Sequence, residues 1–243
     1  MHGTSIIHIG TTGSTNDFLR TYRGAEGLRM TVAVAECQTA GRGQGANTWE
    51  SEDGKNLLFS ILIHPATVPP HRQFVISMAV ALAICRTLDA YSEGFCIKWP
   101  NDIYWHNRKV CGILIENSLA GNCIRDCIIG IGLNVNQQVF RSNAPNPVSL
   151  FQVTGHEHSR DKLLQDILRA FAAMDLCDGE AIRTAYMERL YRRKGLFRFK
   201  DGGGEFRAEV AAVAPDGHLL LRNESGDLHS YAFKEVEHVL GKQ

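Results

Sequence analysis

The amino-acid sequence predicts a first part of the α/β or α+β class, residues 1–193, followed by a small β-barrel, residues 194–243. Three observations predict this organisation. Short apolar runs typical of strands recur between residues 31 and 135. A longer apolar segment, residues 73–91, has the length of a helix and lies between two of these runs. After residue 194 the pattern changes to short alternating segments separated by glycine-rich turns.

The apolar pattern also predicts the individual elements of the first part. Strands are predicted at residues 31–36, 57–63, 95–99, 112–116 and 127–135. The segment 73–91 is apolar on nearly every helical face, as expected for a helix that packs against a sheet on one side and against protein elsewhere. Ser14 or Thr15 can cap a helix that begins near Asn16. Two further helices are predicted at 161–175 and 179–193.

Basic residues end the last of these helices, where positive charge complements the helix dipole. They are Arg189, Arg192, Arg193 and Lys194. The barrel that follows is predicted to contain strands at 197–199, 205–213, 218–222 and 228–233.

Composition narrows the class of protein. Lys plus Arg and Asp plus Glu both number 26, so the chain lacks the diffuse positive field that favours nucleic-acid binding. No signal peptide is predicted, and the longest uncharged apolar stretch, residues 73–85, is shorter than the roughly 20 residues that span a bilayer. The seven cysteines are odd in number and lack zinc-site spacing, so we expect reduced thiols in a cytoplasmic protein without a membrane segment.

A glycine-rich segment, residues 35–51, joins two predicted strands and contains Gly41-Arg42-Gly43. Glycines allow backbone N–H groups to approach an anion, and an arginine adds a charge suited to phosphate. A flexible hairpin explains the glycines equally well. The segment matches neither a Walker A loop nor a dinucleotide fingerprint.

Polar residues cluster at the end of another strand, in Lys98-Trp99-Pro100-Asn101-Asp102. Lys98 and Asp102 could simply pair at a turn. The nearby Lys109, together with Asn101, gives more polar groups than a turn requires.

The strand at 127–135 contains Gly130, Gly132 and Asn134 at alternate positions. Glycines within a strand mark a bulge or the close approach of a backbone or ligand. Taken alone, this segment is typical of a bulged core strand.

Together these motifs resemble the biotin protein ligase family. Ser14-Thr15-Asn16, the Gln38 to Trp49 segment, Lys98 to Asp102, Lys109 with residues 112–116, and the Gly130/Gly132/Asn134 strand follow in that family's order. The resemblance extends to residues 147–150 and the terminal barrel, and so covers nearly the whole chain. It implies an α+β catalytic domain like that of class II synthetases, and a barrel like a Src-homology-3 domain.

The resemblance implies an ATP-dependent ligase. Such an enzyme converts biotin and ATP to biotinyl-5′-AMP and pyrophosphate, then transfers biotin to a lysine of a biotin carboxyl carrier protein. It would use Mg²⁺ held mainly by ATP, without a metal site of its own, and be a monomer or homodimer. Ser14 lies too near the start for the N-terminal DNA-binding domain of some relatives, which implies a monofunctional enzyme without a nucleic-acid partner.

The resemblance also assigns residues to roles. Catalytic residues would be Arg42, Lys98, Asp102 and Lys109. The biotin site would comprise Ser14, Thr15, Asn16, Gln38, Gly41, Arg42, Lys109 and Gly112. The nucleotide site would comprise Arg42, Gly43, Trp49, Asn101, Lys109 and Asn134. Asp102 could orient or deprotonate the incoming lysine amine, or could be a structural partner of Lys98.

The loop departs from the family pattern, because Gln44, Gly45 and Ala46 replace the Arg, Arg and Gly of many members. We therefore expect adenylate retention to depend more on Arg42 and Lys109. Two other functions compete with the ligase: a lipoate ligase or octanoyltransferase, and an inactive biotin-binding sensor.

Overall fold

The computed structural model describes residues 3–24, 27–45, 47–142 and 144–239. Its first part contains seven strands, five α-helices and one short 3-10 helix, Pro70–Arg72. The strands are β1 (Thr4–Thr12), β2 (Met30–Gln38), β3 (Leu57–Ile63), β4 (Phe95–Lys98), β5 (Asp102–Trp105), β6 (Arg108–Ala120) and β7 (Cys123–Leu133). The helices are α1 (Thr15–Thr21), α2 (Phe74–Leu88), α3 (Leu150–Thr154), α4 (Arg160–Ala172) and α5 (Gly179–Glu188).

The seven strands form one mixed sheet in the order β1-β2-β3-β7-β6-β5-β4. β1 and β2 are parallel, and every other neighbouring pair is antiparallel. This arrangement confirms the α+β class. Every residue of β3 is buried, because α2 covers one face of the sheet and α1 packs on the other through Leu19. Such burial on both faces explains why this strand is an uninterrupted apolar run.

Helix α2 lies at the centre of the main core. All of its residues except Arg86 are buried, because α4 and α5 cover the side that faces away from the sheet. The prediction of a helix apolar on nearly every face is therefore confirmed. Its bounds are shorter than the predicted 73–91 at both ends.

The predicted end of the last helix was wrong. α5 ends at Glu188 and not at residue 193. The next residues pair with β4 instead: Ile97 N donates to Arg189 O, and Tyr191 N donates to Ile97 O, at 2.8 Å each. All four basic residues of the predicted helix end therefore follow the last residue of α5, and Arg189 forms an ion pair with Asp89.

Five elements were not predicted as such: β1, β5, α3, the 3-10 helix and a two-residue strand near the C-terminus. β1 mixes apolar residues with threonine, histidine and glycine at a half-exposed edge of the sheet, so its pattern is weak. Helix α4 ends at Ala172, three residues before the predicted end.

The C-terminal part forms a second, five-stranded antiparallel sheet in the order β11-β10-β9-β8-β12. Its strands are β8 (Phe197–Asp201), β9 (Gly204–Val213), β10 (Leu219–Asn223), β11 (Leu228–Tyr231) and β12 (Glu237–His238). The predicted division after residue 193 falls in the connection between the two sheets. That each part folds separately stays a prediction.

The C-terminal sheet docks on the turn that follows β4. Trp99 Nε1 donates to Gly217 O at 2.9 Å, and the Phe233 ring lies 5.4 Å from Trp99 and 5.7 Å from Phe74. Gly217 has a φ of +97°, and a β-carbon there would lie 2.8 Å from the Phe74 ring. Only glycine suits this turn, on both conformational and steric grounds.

All seven cysteines are free thiols. In the described segments, no helix is both long enough and apolar enough to cross a membrane.

His238 makes the stability of this docked arrangement depend on pH. Its ring lies 4.5 Å from Phe199 and 5.4 Å from Tyr191, and its Nδ1 is buried without a hydrogen-bond partner in the described residues. Burial, assisted by the charges of Lys98 and Arg192, lowers the pKa of His238 to about 3. Because the unfolded histidine takes up a proton near pH 6.5, the unfolded state gains protons first as pH falls.

We therefore expect the free energy of unfolding to fall by up to about 2 kcal/mol between pH 7 and pH 5 through this residue. Urea unfolding of His238→Leu should have a shallower pH dependence than the parent chain. The exposed His71→Leu is the matched control and should keep the parent slope. Equal slopes for the parent and His238→Leu would contradict the assignment.

Candidate functional site

The sequence motifs meet at one cavity of about 150 Å³, formed by the start of α1, the glycine-rich loop, the β4–β5 turn, β6 and β7. Of the predicted site residues, all line this cavity except Gly41, Lys98 and Asn134. Motifs up to about 100 residues apart in sequence are thus brought together by the sheet order.

A buried polar network forms one end of the cavity. Gln38 Oε1 accepts from Thr15 N at 2.7 Å and from Thr15 Oγ1 at 3.1 Å. Ser60 Oγ lies 2.6 Å from both Thr15 Oγ1 and Asn16 Oδ1. Ser14 is the N-cap residue of α1, but its side chain makes no capping hydrogen bond. This end of the cavity therefore offers several preorganised hydrogen-bonding groups to a ligand.

Ser60 was missed at the sequence level. It lies on β3, it is fully buried, and it is flanked by apolar residues on both sides. A single hydroxyl inside an otherwise apolar strand was the signal that could have identified it, because buried polar groups need partners.

Gly130 leaves space for the Asn16 side chain. A β-carbon at Gly130 would collide with Asn16 Oδ1, and Asn16 Nδ2 donates to Glu116 Oε2 at 2.7 Å. The first glycine of the β7 motif therefore makes room for the α1 side chain.

The indole of Trp49 packs directly against two glycines of the sheet. Gly112 and Gly132 are opposite one another on β6 and β7. A β-carbon at Gly112 would lie 2.8 Å from the indole, and one at Gly132 would lie 2.5 Å from it. The indole Nε1 is buried and has no hydrogen-bond partner among the described residues. Buried indole N–H groups usually find an acceptor, so this donor is available to a ligand.

The glycine-rich loop folds into a short hairpin over this cavity. Trp49 N donates to Gly41 O at 3.0 Å, and Gly43 N donates to Asn47 O at 2.7 Å. A β-carbon at Gly41 would lie 2.8 Å from Trp49 O, so Gly41 allows the two arms to close. Gln44 lines the cavity and Gly45 follows at the hairpin tip, whereas Ala46 lies outside the described residues.

Arg42 is held at the cavity rim by two carboxylates. Its Nη2 lies 3.0 Å from Asp17 Oδ1 and 3.1 Å from Glu116 Oε2. Arg20 contacts the same two carboxylates at 2.5 Å and 2.8 Å. These four side chains form a partly exposed ion-pair cluster beside Asn16.

Lys109 forms an ion pair with Asp102, with 2.7 Å between Nζ and Oδ1, although the angle lies outside that of a hydrogen bond. Its Nζ also lies 5.5 Å from the Trp49 ring centre. The β5–β6 register shifts between Ile103 and Tyr104, and such a bulge re-aims neighbouring side chains.

Lys98 is opposite Asp102 in the β4–β5 pair, yet the ion pair that the structure records for Asp102 is with Lys109. Lys98 Nζ lies 5.2 Å from the Tyr104 ring centre. Burial lowers the pKa of Lys98, and the Asp102 charge opposes this shift.

Asn101 and Asn134 have different surroundings. Asn101 lines the cavity, and its Nδ2 donates to Ile113 O at 2.7 Å, which fixes the β4–β5 turn on β6. Asn134 is buried outside the cavity lining, and its Nδ2 donates to Val148 O at 3.1 Å. Its Oδ1 has no partner among the described residues.

A second cavity of about 540 Å³ lies where the C-terminal sheet faces the β4–β5 turn. It shares Gln44, Asn47, Asn101 and Asp102 with the first cavity, and Lys98 and Lys234 also line it. Lys234 was missed because no local pattern links the barrel to the loop.

In the part of the chain that the structure describes, no three histidine, cysteine or acidic side chains are grouped so as to hold a metal ion. Asp102 lines the first cavity but is already paired with Lys109.

Comparison with known proteins gives consistent results. The Biotin/lipoate A/B protein ligase family model matches residues 11–134. The chain is 33% identical over 235 residues to a bifunctional ligase/repressor BirA of Bacillus subtilis, covering 92% of this chain and 71% of that protein. It is 28% identical to a biotin--[acetyl-CoA-carboxylase] ligase of Paracoccus denitrificans, covering 90% of this chain and 94% of that protein.

The fold is also similar to that of a solved structure. A biotin protein ligase from Aquifex aeolicus in complex with biotin and ATP aligns with a TM-score of 0.78 and 23% identity, covering 97% of this chain and 99% of that one. The family model spans half of the chain and contains all of the residues that line the first cavity. On this evidence, the chain belongs to the biotin/lipoate A/B protein ligase family.

Proposed function

We propose that this protein is an ATP-dependent biotin protein ligase. It would form biotinyl-5′-AMP and pyrophosphate from biotin and ATP, and then transfer biotin to a lysine of a biotin carboxyl carrier protein. The relatives named as biotin ligases support this substrate choice. The observation that carries the proposal is that the polar residues of α1, Lys109 and the indole of Trp49 all line one cavity, with Lys109 Nζ 5.5 Å from the Trp49 ring centre.

In the first step a carboxylate oxygen of biotin attacks the α-phosphorus of ATP, and pyrophosphate leaves. Two anions must approach, so positioned cations lower the barrier. Lys109 would bind the carboxylate and then the adenylate phosphate. Arg42 is 38% exposed and bound to Asp17 and Glu116, so it can exchange these carboxylates for a phosphate with little desolvation.

The substrate rings would occupy opposite ends of the cavity. The polar groups of Ser14, Thr15, Asn16 and Gln38 suit the ureido ring of biotin, and Gly112 leaves room beside its chain. Trp49 would stack on adenine, with Gly43 and Asn101 nearby. The role of Asn134 would be indirect, through the β7 end that it fixes to Val148. Mg²⁺ would be held mainly by ATP oxygens, because Asp102 is paired with Lys109.

In the second step the carrier lysine amine attacks the acyl carbon of biotinyl-5′-AMP. The bond between that carbon and the phosphate oxygen breaks, AMP leaves, and the amine loses a proton. No covalent enzyme intermediate is needed. Asp102 lies beside Lys109 and can orient the amine or accept its proton once the phosphate engages Lys109.

The direct test supplies biotin, ATP, Mg²⁺ and a carrier domain, and detects product with streptavidin. We expect labelling of the carrier lysine, and its loss with the carrier Lys→Arg variant. Lys109→Met should lower the rate at least about 100-fold, as is typical when a group that stabilises transition-state charge is removed. Exposed Lys162→Met is the control and should keep the parent rate. Transfer of lipoate alone, or pyrophosphate release without labelling, would overturn the proposal.

Arg42 should retain the adenylate. We expect Arg42→Ala to release free biotinyl-5′-AMP roughly tenfold faster, because one charge-assisted contact is lost. The measurement follows biotinyl-5′-AMP in the filtrate without carrier present. Arg23→Ala removes an exposed arginine beyond α1 and should leave the release rate unchanged. Unchanged release from Arg42→Ala would show that the loop holds the intermediate without this charge.

Trp49 should contribute more to the binding of ATP than to the binding of biotin. Loss of stacking costs about 1–3 kcal/mol per base, so Trp49→Ala should raise the KM for ATP at least about fivefold. The KM for biotin should change less. Trp49→Phe, which keeps an aromatic face, should retain most of the ATP affinity. An equal rise in both KM values would instead assign Trp49 to the closure of the hairpin.

A further inference from the structure

Lys234 lies in the turn that precedes β12 of the C-terminal sheet and has a φ of +72°. This left-handed conformation is uncommon for a residue with a side chain. It arises in a tight turn, in which Ala232 N donates to Glu235 Oε2 at 2.7 Å and Val236 is buried behind it. The turn projects Lys234 away from its own sheet.

The ammonium group of Lys234 meets the tip of the glycine-rich hairpin. A β-carbon on Gly45 would collide with Lys234 Nζ. Gly45 itself has a φ of +72°, so it is a glycine for both steric and conformational reasons. The C-terminal sheet therefore supplies a cation at the point where the family pattern has arginines and this chain has Gln44 and Gly45.

Among the described residues, the ion pairs within 4 Å include neither Lys234 nor Lys98. Both line the second cavity, together with four carboxylates. Asp102 is paired with Lys109, Asp201 accepts from Tyr231 Oη and Gly203 N, and Glu235 accepts from Ala232 N. The charge of the fourth, Glu237, stabilises the Lys98 ammonium group. Lys234 thus remains available to an anion that enters from outside.

The position of this cavity identifies the anion. It shares the wall formed by Asn101 and Asp102 with the first cavity, where Lys109 faces the reacting groups. With the adenylate phosphate beside Lys109, the next two phosphates of ATP would extend towards that shared wall. Lys98 and Lys234 line the second cavity next to it.

We infer that Lys234 binds the β- and γ-phosphates of ATP, and hence the pyrophosphate leaving group, across the interface between the two sheets. This rests on the proposed ATP-dependent function. The cation comes from the C-terminal sheet, and it offsets the arginines that the hairpin lacks. Lys234 is a binding residue for the first half-reaction alone, because pyrophosphate takes no part in transfer to the carrier.

The test compares Lys234→Met with the parent enzyme at saturating biotin. We expect the KM for ATP and the inhibition constant for pyrophosphate each to rise about tenfold, which is typical of losing one charge-assisted phosphate contact. The KM for biotin should not change. Transfer from supplied biotinyl-5′-AMP to the carrier should keep the parent rate.

Two companion variants separate charge from backbone conformation. Lys234→Gly accepts the positive φ and should show the same loss as Lys234→Met, whereas Lys234→Arg should restore most of the affinity. Lys162→Met removes an exposed lysine of α4 that does not line this cavity, and should change either constant less than twofold. Calorimetry with inorganic pyrophosphate and Mg²⁺ measures binding without turnover and should show the same order.

Unchanged constants in Lys234→Met, or an equal loss in Lys162→Met, would overturn the inference. A rise in the KM for the carrier with unchanged ATP and pyrophosphate constants would also overturn it, and would assign this surface to the carrier. These failures are distinct from failure of the proposed function, because in that case the parent enzyme would not label the carrier.

Discussion

The site depends on one close contact, between the indole of Trp49 and a bare patch of sheet. Gly112 and Gly132 face each other on β6 and β7, and a single methyl group at either position would meet the ring. This contact holds the hairpin arms together over the cavity, because Trp49 N also bonds to Gly41 O. The hairpin then sets the positions of Arg42 and Gly43. The absence of a β-carbon at Gly112 and Gly132 therefore determines where the Arg42 loop can lie.

Charge in the site follows a common pattern. Arg42 is paired with Asp17 and Glu116, and Lys109 is paired with Asp102. Since an anionic substrate must compete with these carboxylates, its binding exchanges one set of ion pairs for another. The carboxylates hold the cationic side chains in place before substrate arrives. The exchange of ion pairs makes substrate binding sensitive to ionic strength.

The elements that the sequence predicted well are those whose pattern follows from burial alone. β3 and α2 are apolar because protein covers them on both sides, so their type and position could be inferred. The end of α5 could not be inferred, because a basic residue such as Arg189 is typical of a last helical turn. Only the structure shows that Arg189 pairs with Asp89 and that its backbone bonds to β4. Local charge patterns do not specify which distant strand a segment will join.

The candidate site divides in the same way. Motif residues such as Thr15, Gln38 and Lys109 could be named from the resemblance, but their partners could not. Asp102 pairs with Lys109 and not with Lys98, although Lys98 is nearer in the sequence. This pairing accompanies a bulge in the β5–β6 ladder. Lys234 carries no local signal, because its position relative to Gly45 exists only once the two sheets have docked.

The docking of the C-terminal sheet on Trp99 also constrains how the protein can evolve. Trp99 belongs to the turn that carries Asn101 and Asp102, and its indole is held by Gly217 and Phe233 of the C-terminal sheet. A substitution at Gly217 therefore reaches the reacting groups through one rigid ring, without touching a substrate. The turn and its support are expected to evolve as a unit, and a chimaera that exchanges the C-terminal sheet between relatives must carry both halves of this contact.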